Sequence, residues 1–247
     1  MSVQGSFAAV ARDGGRAALV TVVAGPHVGG RLLVRADGTR EGTLGDAQLC
    51  EDALAHAQEL MWTERSEMRD ELFVDVTAPP PRLLIFGAIA YANDLARLAR
   101  VAGWRPYVID PRARFATRAR FPDAVEVVVA WPAAALERLG VIDRATYVAV
   151  LSNDPKIDDA ILLLALSAEP AYVGAMGSRH AQIERSERLR AAGVSENDLN
   201  RISAPVGLDL GALTAAETAL SVMAEVVAVR HGREGGRLSA RRRGSNR

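Results

Sequence analysis

Residues 82–111, RLLIFGAIAYANDLARLARVAGWRPYVIDP, decide the fold. RLLIFG (82–87) is a short apolar run closed by glycine, the pattern of a strand buried on both faces. From Asn93 to Ala102 the apolar residues fall at helical spacing, with Leu95, Leu98 and Ala99 inward. RPYVIDP (105–111) is a second buried run that ends on Asp110 and a proline. Strand, helix and strand in this order predict a crossover unit with parallel strands.

The alternation continues downstream. VEVVVA (125–130) predicts a third strand, Pro132 to Leu139 a short helix, and TYVAVLS (146–152) a fourth strand. Asp158 to Ala168 predicts a helix that is apolar nearly all round and therefore sandwiched. AYVGAMG (171–177) predicts a fifth strand, followed by a polar helix to about Ala192. Thr214-Ala-Ala-Glu217 is a capping box, in which hydroxyl and carboxylate satisfy amides at a helix start. The helix it opens carries an apolar stripe of Leu220, Met223, Val226 and Val227. Residues 82–232 therefore predict an α/β domain, a Rossmann-like parallel sheet with helices on both faces. REGGRLSARRRGSNR (233–247) has little to pack and is expected to be a disordered basic tail.

Upstream, RAALVTVVA (16–24) predicts a strand, and GGRLLVRADGTREGTL a hairpin turning at Asp37-Gly38. Asp46 is placed to cap a helix from Ala47 to about Trp62, and ELFVDVT (71–77) predicts another strand. These elements make a small α+β domain over residues 1–78. Three consecutive prolines, Pro79 to Pro81, mark the boundary.

Composition excludes several classes. The chain has 247 residues, 49% apolar and 24% charged, enough to bury a sizeable core. Its formal net charge is zero, which gives no general pull toward nucleic acid or an acidic membrane. The longest apolar run, Ile161 to Leu166, is too short to span a bilayer, and the first residues lack a signal-peptide pattern. The expected location is the cytoplasm. Cys50 is the only cysteine and the four histidines are scattered, so neither a disulfide nor a metal cluster is expected. No nucleophile elbow, zinc-protease motif or phosphate-binding loop appears, and no catalytic residue is assigned.

Candidate ligand groups fall in the turns after the predicted strands, where parallel sheets bind ligands. Gly87-Ala88-Ile89-Ala90-Tyr91-Ala92 occupies the first turn. Gly87 matches the first glycine of a dinucleotide fingerprint, but Ile89 stands where a diphosphate needs a second. Asp110 lies where a ribose-binding carboxylate would sit. The next turn, Ser152-Asn153-Asp154-Pro155-Lys156-Ile157-Asp158-Asp159, gathers three carboxylates and the only lysine. It is either a ligand cluster or a helix start whose acids favour the helix dipole. Gly174, Gly177, Ser178 and Arg179 follow the fifth strand and suit an oxyanion at a helix N-terminus, or form an ordinary turn. Gly207 and Asp209, in PVGLDLG (205–211), suggest close backbone approach to another segment or to a ligand. Glu225, within an apolar helix, must find a partner such as an arginine or face a cleft.

Several segments together resemble the XdhC/CoxI family. They are YVIDPRARFATRARFPDA (107–124), LSNDPKIDDAILLLAL (151–166), AYVGAMGSR (171–179) and PVGLDLGALTAAETALSVMAEVVAVRHG (205–232). The N-terminal ALVTVV, LLVRADG and EGTLGD segments extend the likeness. The resemblance implies an accessory factor, not an enzyme, that binds molybdenum cofactor, shields it and delivers it. The recipient would be a xanthine dehydrogenase- or CO dehydrogenase-type molybdenum hydroxylase apoenzyme. A cysteine desulfurase partner and a homodimer are implied on the same ground. In this picture Gly177, Ser178 and Arg179 hold the cofactor phosphate, Asp154, Lys156 and Asp158 meet the pterin or order the cleft, and Asp209 sits opposite. The chain departs from the family pattern at Ala88-Ile89, at Asn153 and at the position of Cys50. Two alternatives stand beside this reading: an NAD(P)-dependent oxidoreductase, which Ile89 disfavours, and a docking module without a small-molecule ligand.

Overall fold

In the computed structural model, which describes residues 2–240, the chain forms two compact units, one ending at Pro79 and the other beginning at Pro80. The first unit contains α1 (Val3–Arg12), β1 (Ala17–Val22), β2 (Arg31–Arg35), β3 (Arg40–Thr43), α2 (Ala47–Thr63), β4 (Glu67–Arg69) and β5 (Leu72–Thr77). Its five strands form an antiparallel sheet in the order β3-β2-β1-β5-β4. Strand β1 is apolar apart from Thr21, because both of its faces are covered. Ala18, Val20 and Val22 pack with Ala53, Ala57, Leu60 and Met61 of α2. Ala17 and Leu19 pack with Val3, Phe7 and Val10 of α1.

Helix α1 is absent from the sequence expectation. Its signal was present: Ser2 caps the helix by accepting the Gly5 amide at 3.2 Å, and Val3, Phe7 and Val10 recur at helical spacing. The hairpin at Asp37-Gly38 and the Asp46 cap form as expected, the latter accepting the Leu49 amide at 2.8 Å.

The second unit contains β6 (Arg82–Phe86), α3 (Ala90–Val101), β7 (Arg105–Ile109), β8 (Glu126–Val128), α4 (Pro132–Leu139) and β9 (Thr146–Val150). It continues with α5 (Pro155–Leu166), β10 (Tyr172–Ala175), α6 (Arg179–Ala191), α7 (Glu196–Leu199), β11 (Ile202–Ser203) and α8 (Ala215–Arg230). The six strands are parallel in the order β11-β10-β9-β6-β7-β8. This is the doubly wound arrangement, and its order reverses between β6 and β9. Leu83 and Ile85 face α3 and α8, whereas Leu84 and Phe86 face α4 and α5. Helices therefore cover both faces.

Three local expectations are corrected. The third strand shortens to Glu126–Val128, because Val125 and Val129 are exposed at the sheet edge. Helix α5 begins three residues before Asp158, at Pro155, whose fixed φ suits a first helical turn. In α8 the buried row is Ala219, Val222, Met223 and Val226, while Leu220 is 51% exposed. After α8, residues 231–240 are exposed, with Gly235 lying near Leu208. Leu238–Ala240 forms one 3-10 turn, and residues 241–247 of the expected tail lie outside the described residues. No helix among the described residues is long and apolar enough to cross a membrane.

Candidate functional site

All the strands of the second sheet run parallel, so the turns carrying the candidate residues emerge at one edge. Adjacent strands place adjacent turns side by side, and the point between β6 and β9 is where such sheets take ligands. The candidate residues divide there into those turned inward and those left open.

Asp110 is fully buried. Its carboxylate accepts the Ala88 amide at 2.8 Å, the Arg112 amide at 2.9 Å, and a two-pronged contact from the Arg112 guanidinium at 2.8 and 2.7 Å. Burial opposes its ionisation, but these donors together hold the carboxyl below the ordinary range. Its oxygens are engaged by the chain itself, so Asp110 does not present a free ribose acceptor. Arg112 is in turn stabilised as a cation first by Asp110 and then by Asp154 and Asp158. That guanidinium is bonded to the carboxylate after β7 and feels, across β6, the two carboxylates of the turn after β9.

Gly87 has a positive φ of 112°, and a side chain there would meet the backbone nitrogen of Ser152 at 2.5 Å. The glycine is required by the approach of the β9 turn at the reversal point. Ile89 is the N-cap position of α3 and makes no side-chain capping bond.

Asp158 is also buried. It accepts the Ser152 hydroxyl and the Arg185 guanidinium, the latter at 3.1 Å. Arg185 also donates to the Met176 carbonyl at 2.8 Å and to Gln182. Desolvation pushes the Asp158 carboxyl above its ordinary range despite these donors. This network ties the end of β9, the start of α5 and the end of β10 into one frame. Asp158 is therefore engaged by the chain's own donors. Arg185 was missed in the sequence; the available signal was that it shares a helical face with Leu189, the other buried residue of a polar helix.

The open groups follow from that frame. Asp154 caps α5 and accepts the Lys156 amide at 3.0 Å, leaving the Lys156 ammonium exposed. Asn153 is exposed, with a positive φ of 58°. Ser178 caps α6 by accepting the Ala181 amide at 3.2 Å, and the next residue, Arg179, is exposed at the first helical position. Asp209 is exposed beyond β11.

Two glycines serve packing. Gly174 leaves room for the Tyr172 hydroxyl, which donates to Glu225, and burial pushes that phenol far up. Gly207, at φ 103°, lies against Ser221 of α8 and gives its amide to Glu225 at 2.9 Å. Glu225 thus finds a tyrosine and a backbone amide where an arginine or a cleft was expected. Gly177, at φ 139°, precedes the Ser178 cap. Among the described residues no group of three or more His, Cys, Asp or Glu is placed to hold a metal ion.

Cys50 lies in the first unit, on α2. Its sulfur accepts the Leu44 amide at 3.3 Å and lies 3.8 Å from the Thr43 hydroxyl.

Comparison with known proteins agrees with this architecture. A model of the XdhC Rossmann domain matches residues 83–226, and a model of the XdhC and CoxI family matches residues 10–70. Among curated relatives, YqeB of Escherichia coli K12 is 29% identical over 232 residues, covering 85% of this chain and 42% of its own length. A Bacillus subtilis protein named as a probable xanthine dehydrogenase subunit is 30% identical over 159 residues, covering 64% of this chain and 46% of its own. The molybdenum cofactor insertion chaperone PaoD of Escherichia coli K12 is 32% identical over 152 residues, covering 62% and 41%. The matched part is thus less than half the length of each relative. A crystal structure described as a xanthine dehydrogenase from Bacillus halodurans matches with a TM-score of 0.65 at 24% identity, over 91% of this chain and 65% of that one. At that identity the likeness bears on the fold alone. With both units matched in order, and the doubly wound sheet formed as the Rossmann model requires, the chain belongs to the XdhC and CoxI family.

Proposed function

We propose that this chain is a molybdenum cofactor accessory protein, which binds the cofactor at the C-terminal edge of the six-stranded sheet and passes it to a molybdenum hydroxylase apoenzyme. The observation that carries the reading is the open cationic start of α6. Ser178 and Arg179 stand there on a turn held rigid by the Asp158–Arg185 network. A helix N-terminus with a guanidinium suits a phosphate, since amides and cation both favour negative charge. Family membership and the similarity to PaoD support the choice of ligand.

The available donors fit the organic part of the cofactor. Gly177, Ser178 and Arg179 would hold the phosphate, while Lys156, Asp154 and Asp209 offer a cation and two acceptors to a pterin. The sheet edge brings no thiolate to the metal, and the chain's only cysteine lies in the other unit. When bound, the cofactor supplies the molybdenum centre that a client enzyme uses; these residues bind and orient its phosphate and pterin. Partners on this reading are the apoenzyme, a cysteine desulfurase that sulfurates the cofactor, and a second copy of the chain.

A dinucleotide in the usual mode is disfavoured by the same geometry, because Asp110 is engaged and Ile89 replaces the second glycine. Thermal denaturation with molybdenum cofactor and, separately, NAD(P)H tests the reading. A ligand at one hundred times its Kd adds about 2.7 kcal/mol to native stability. Stabilisation by molybdenum cofactor is expected. Stabilisation by NAD(P)H alone would overturn the proposal.

A further inference from the structure

We infer that the outward face of α3 and α8 is a two-fold contact with a second copy of this chain. The cofactor reading names a second copy as a partner but gives it no surface; the contact stands on the following observations. Each of these helices carries two rows of apolar or small residues, where a helix covering one face of a sheet needs one. In α3 the inward row is Ala92, Leu95, Ala96 and Ala99, all buried. In α8 it is Ala219, Val222, Met223 and Val226. The second row is Leu98 and Val101 on α3, and Ala216 and Leu220 on α8, again at helical spacing.

The second rows meet. Leu98, Val101, Ala216 and Leu220 line one open groove of about 450 Å³, together with Asp94, Arg97 and Glu217. Val101 is 82% exposed there. Leu213, 94% exposed, adjoins the groove, because the Glu217 carboxylate accepts its amide at 2.8 Å. Single exposed apolar side chains are ordinary on a protein surface, but a contiguous set in a groove between two helices marks a contact with another macromolecule. Core packing gives no reason for the second row, since the first already covers the sheet.

The charges identify the occupant. Asp94 and Arg97 stand one turn apart on α3, beside the apolar residues. Among the described residues neither makes a hydrogen bond or an ion pair. Glu217 is engaged by the amides of Leu213 and Thr214 at 2.8 and 3.0 Å. The groove thus offers one open acid and one open base, with no net sign to draw a nucleic acid or a strongly charged protein. Such a patch complements itself. A two-fold axis across α3 turns each Asp94 toward the Arg97 of the other copy, so one surface supplies two ion pairs around its apolar rows. A partner of a single sign would satisfy only half of it.

Sedimentation velocity of the full chain over a concentration series tests the inference. Wild-type protein is expected to form a reversible dimer. Leu220→Glu puts a charge into the groove at an exposed position and should weaken the dimer about tenfold or more, with helix content by circular dichroism unchanged. Val101→Glu, on the other helix, should do the same. Arg97→Asp should also weaken it, and Asp94→Arg/Arg97→Asp should return it to within about threefold of wild type. Val141→Glu, at an exposed apolar position after α4 on the other face of the sheet, should leave it unchanged. A wild-type chain that stays monomeric throughout overturns the contact. So does a dimer that survives Leu220→Glu and Val101→Glu, which would keep the second copy as a partner but move its surface elsewhere. A double reversal no better than Arg97→Asp alone overturns the two-fold pairing. If the dimer dissociates in Leu220→Glu but the wild-type chain binds no molybdenum cofactor, the contact stands and the cofactor reading fails.

Discussion

At the end of β7, Asp110 receives two backbone amides and a two-pronged guanidinium, and its carboxyl is held below the ordinary range. Two strands away, behind the β9 turn, Asp158 receives one hydroxyl and one guanidinium nitrogen, lies near Asp159, and is pushed above that range. Both carboxylates are buried, both face an arginine, and both occupy positions where a sequence suggests a ligand group. The difference lies in how many donors reach each one against the cost of leaving water. Where donors are many the acid is a fixed anion that anchors a turn. Where they are few the charge is costly, and the surrounding frame must be rigid to keep it. The same edge therefore combines a bonded frame at β9 and β10 with exposed residues, Lys156, Ser178 and Arg179.

The largest expected effect breaks the costlier pair. Arg185→Ala leaves Asp158 buried without its cation and should destabilise the protein by about 3–5 kcal/mol in urea denaturation. Asp110→Ala orphans the buried Ala88 amide and releases Arg112; a loss of about 2–3 kcal/mol is expected by the same assay. A smaller and more discriminating effect is the pH dependence. The folded-state pKa of Asp110 is lowered, so its contribution is present above the unfolded value and lost as pH falls through the folded one. For Asp158 the folded-state pKa is raised, so stability declines as pH rises from the unfolded value through the folded one. Stability relative to wild type should consequently move in opposite directions from acid to neutral pH, rising for Asp158→Asn and falling for Asp110→Asn. Parallel slopes would contradict the electrostatic distinction. The smallest effect lies away from both pairs. Thr214→Ala removes one half of the α8 capping box and should cost about 1 kcal/mol.

Most of the architecture was legible because it rests on periodicity. The β6–α3–β7 stretch alternates as a crossover unit must, and the capping box at Thr214 and Glu217 forms with both of its bonds. Helix α1 was legible in principle, since Ser2, Val3, Phe7 and Val10 carry its signal, but a terminal segment invites a targeting question before a structural one. The site was less legible, for a definite reason. Sequence reveals which residues lie in a turn after a strand; it does not reveal which way a carboxylate points. Asp110 and Asp158 turn inward because an arginine two residues on and another twenty-seven residues on reach them first. Gly174 and Gly207 likewise serve Tyr172 and α8, partners whose roles only the folded chain reveals. Ser178, placed by the sequence at a helix start, proves to be the cap of α6, a role that rests on local chemistry alone.

The most direct test of the central claim is an equilibrium titration of molybdenum cofactor against wild-type protein and Arg179→Ala. Arg179 is exposed and outside both buried pairs, so its loss should leave stability within about 0.5 kcal/mol. A charge-assisted hydrogen bond contributes roughly 1.5–3 kcal/mol, so affinity at least tenfold weaker is expected in the variant. Unchanged affinity in a variant that folds normally would contradict the placement of the cofactor phosphate at the start of α6.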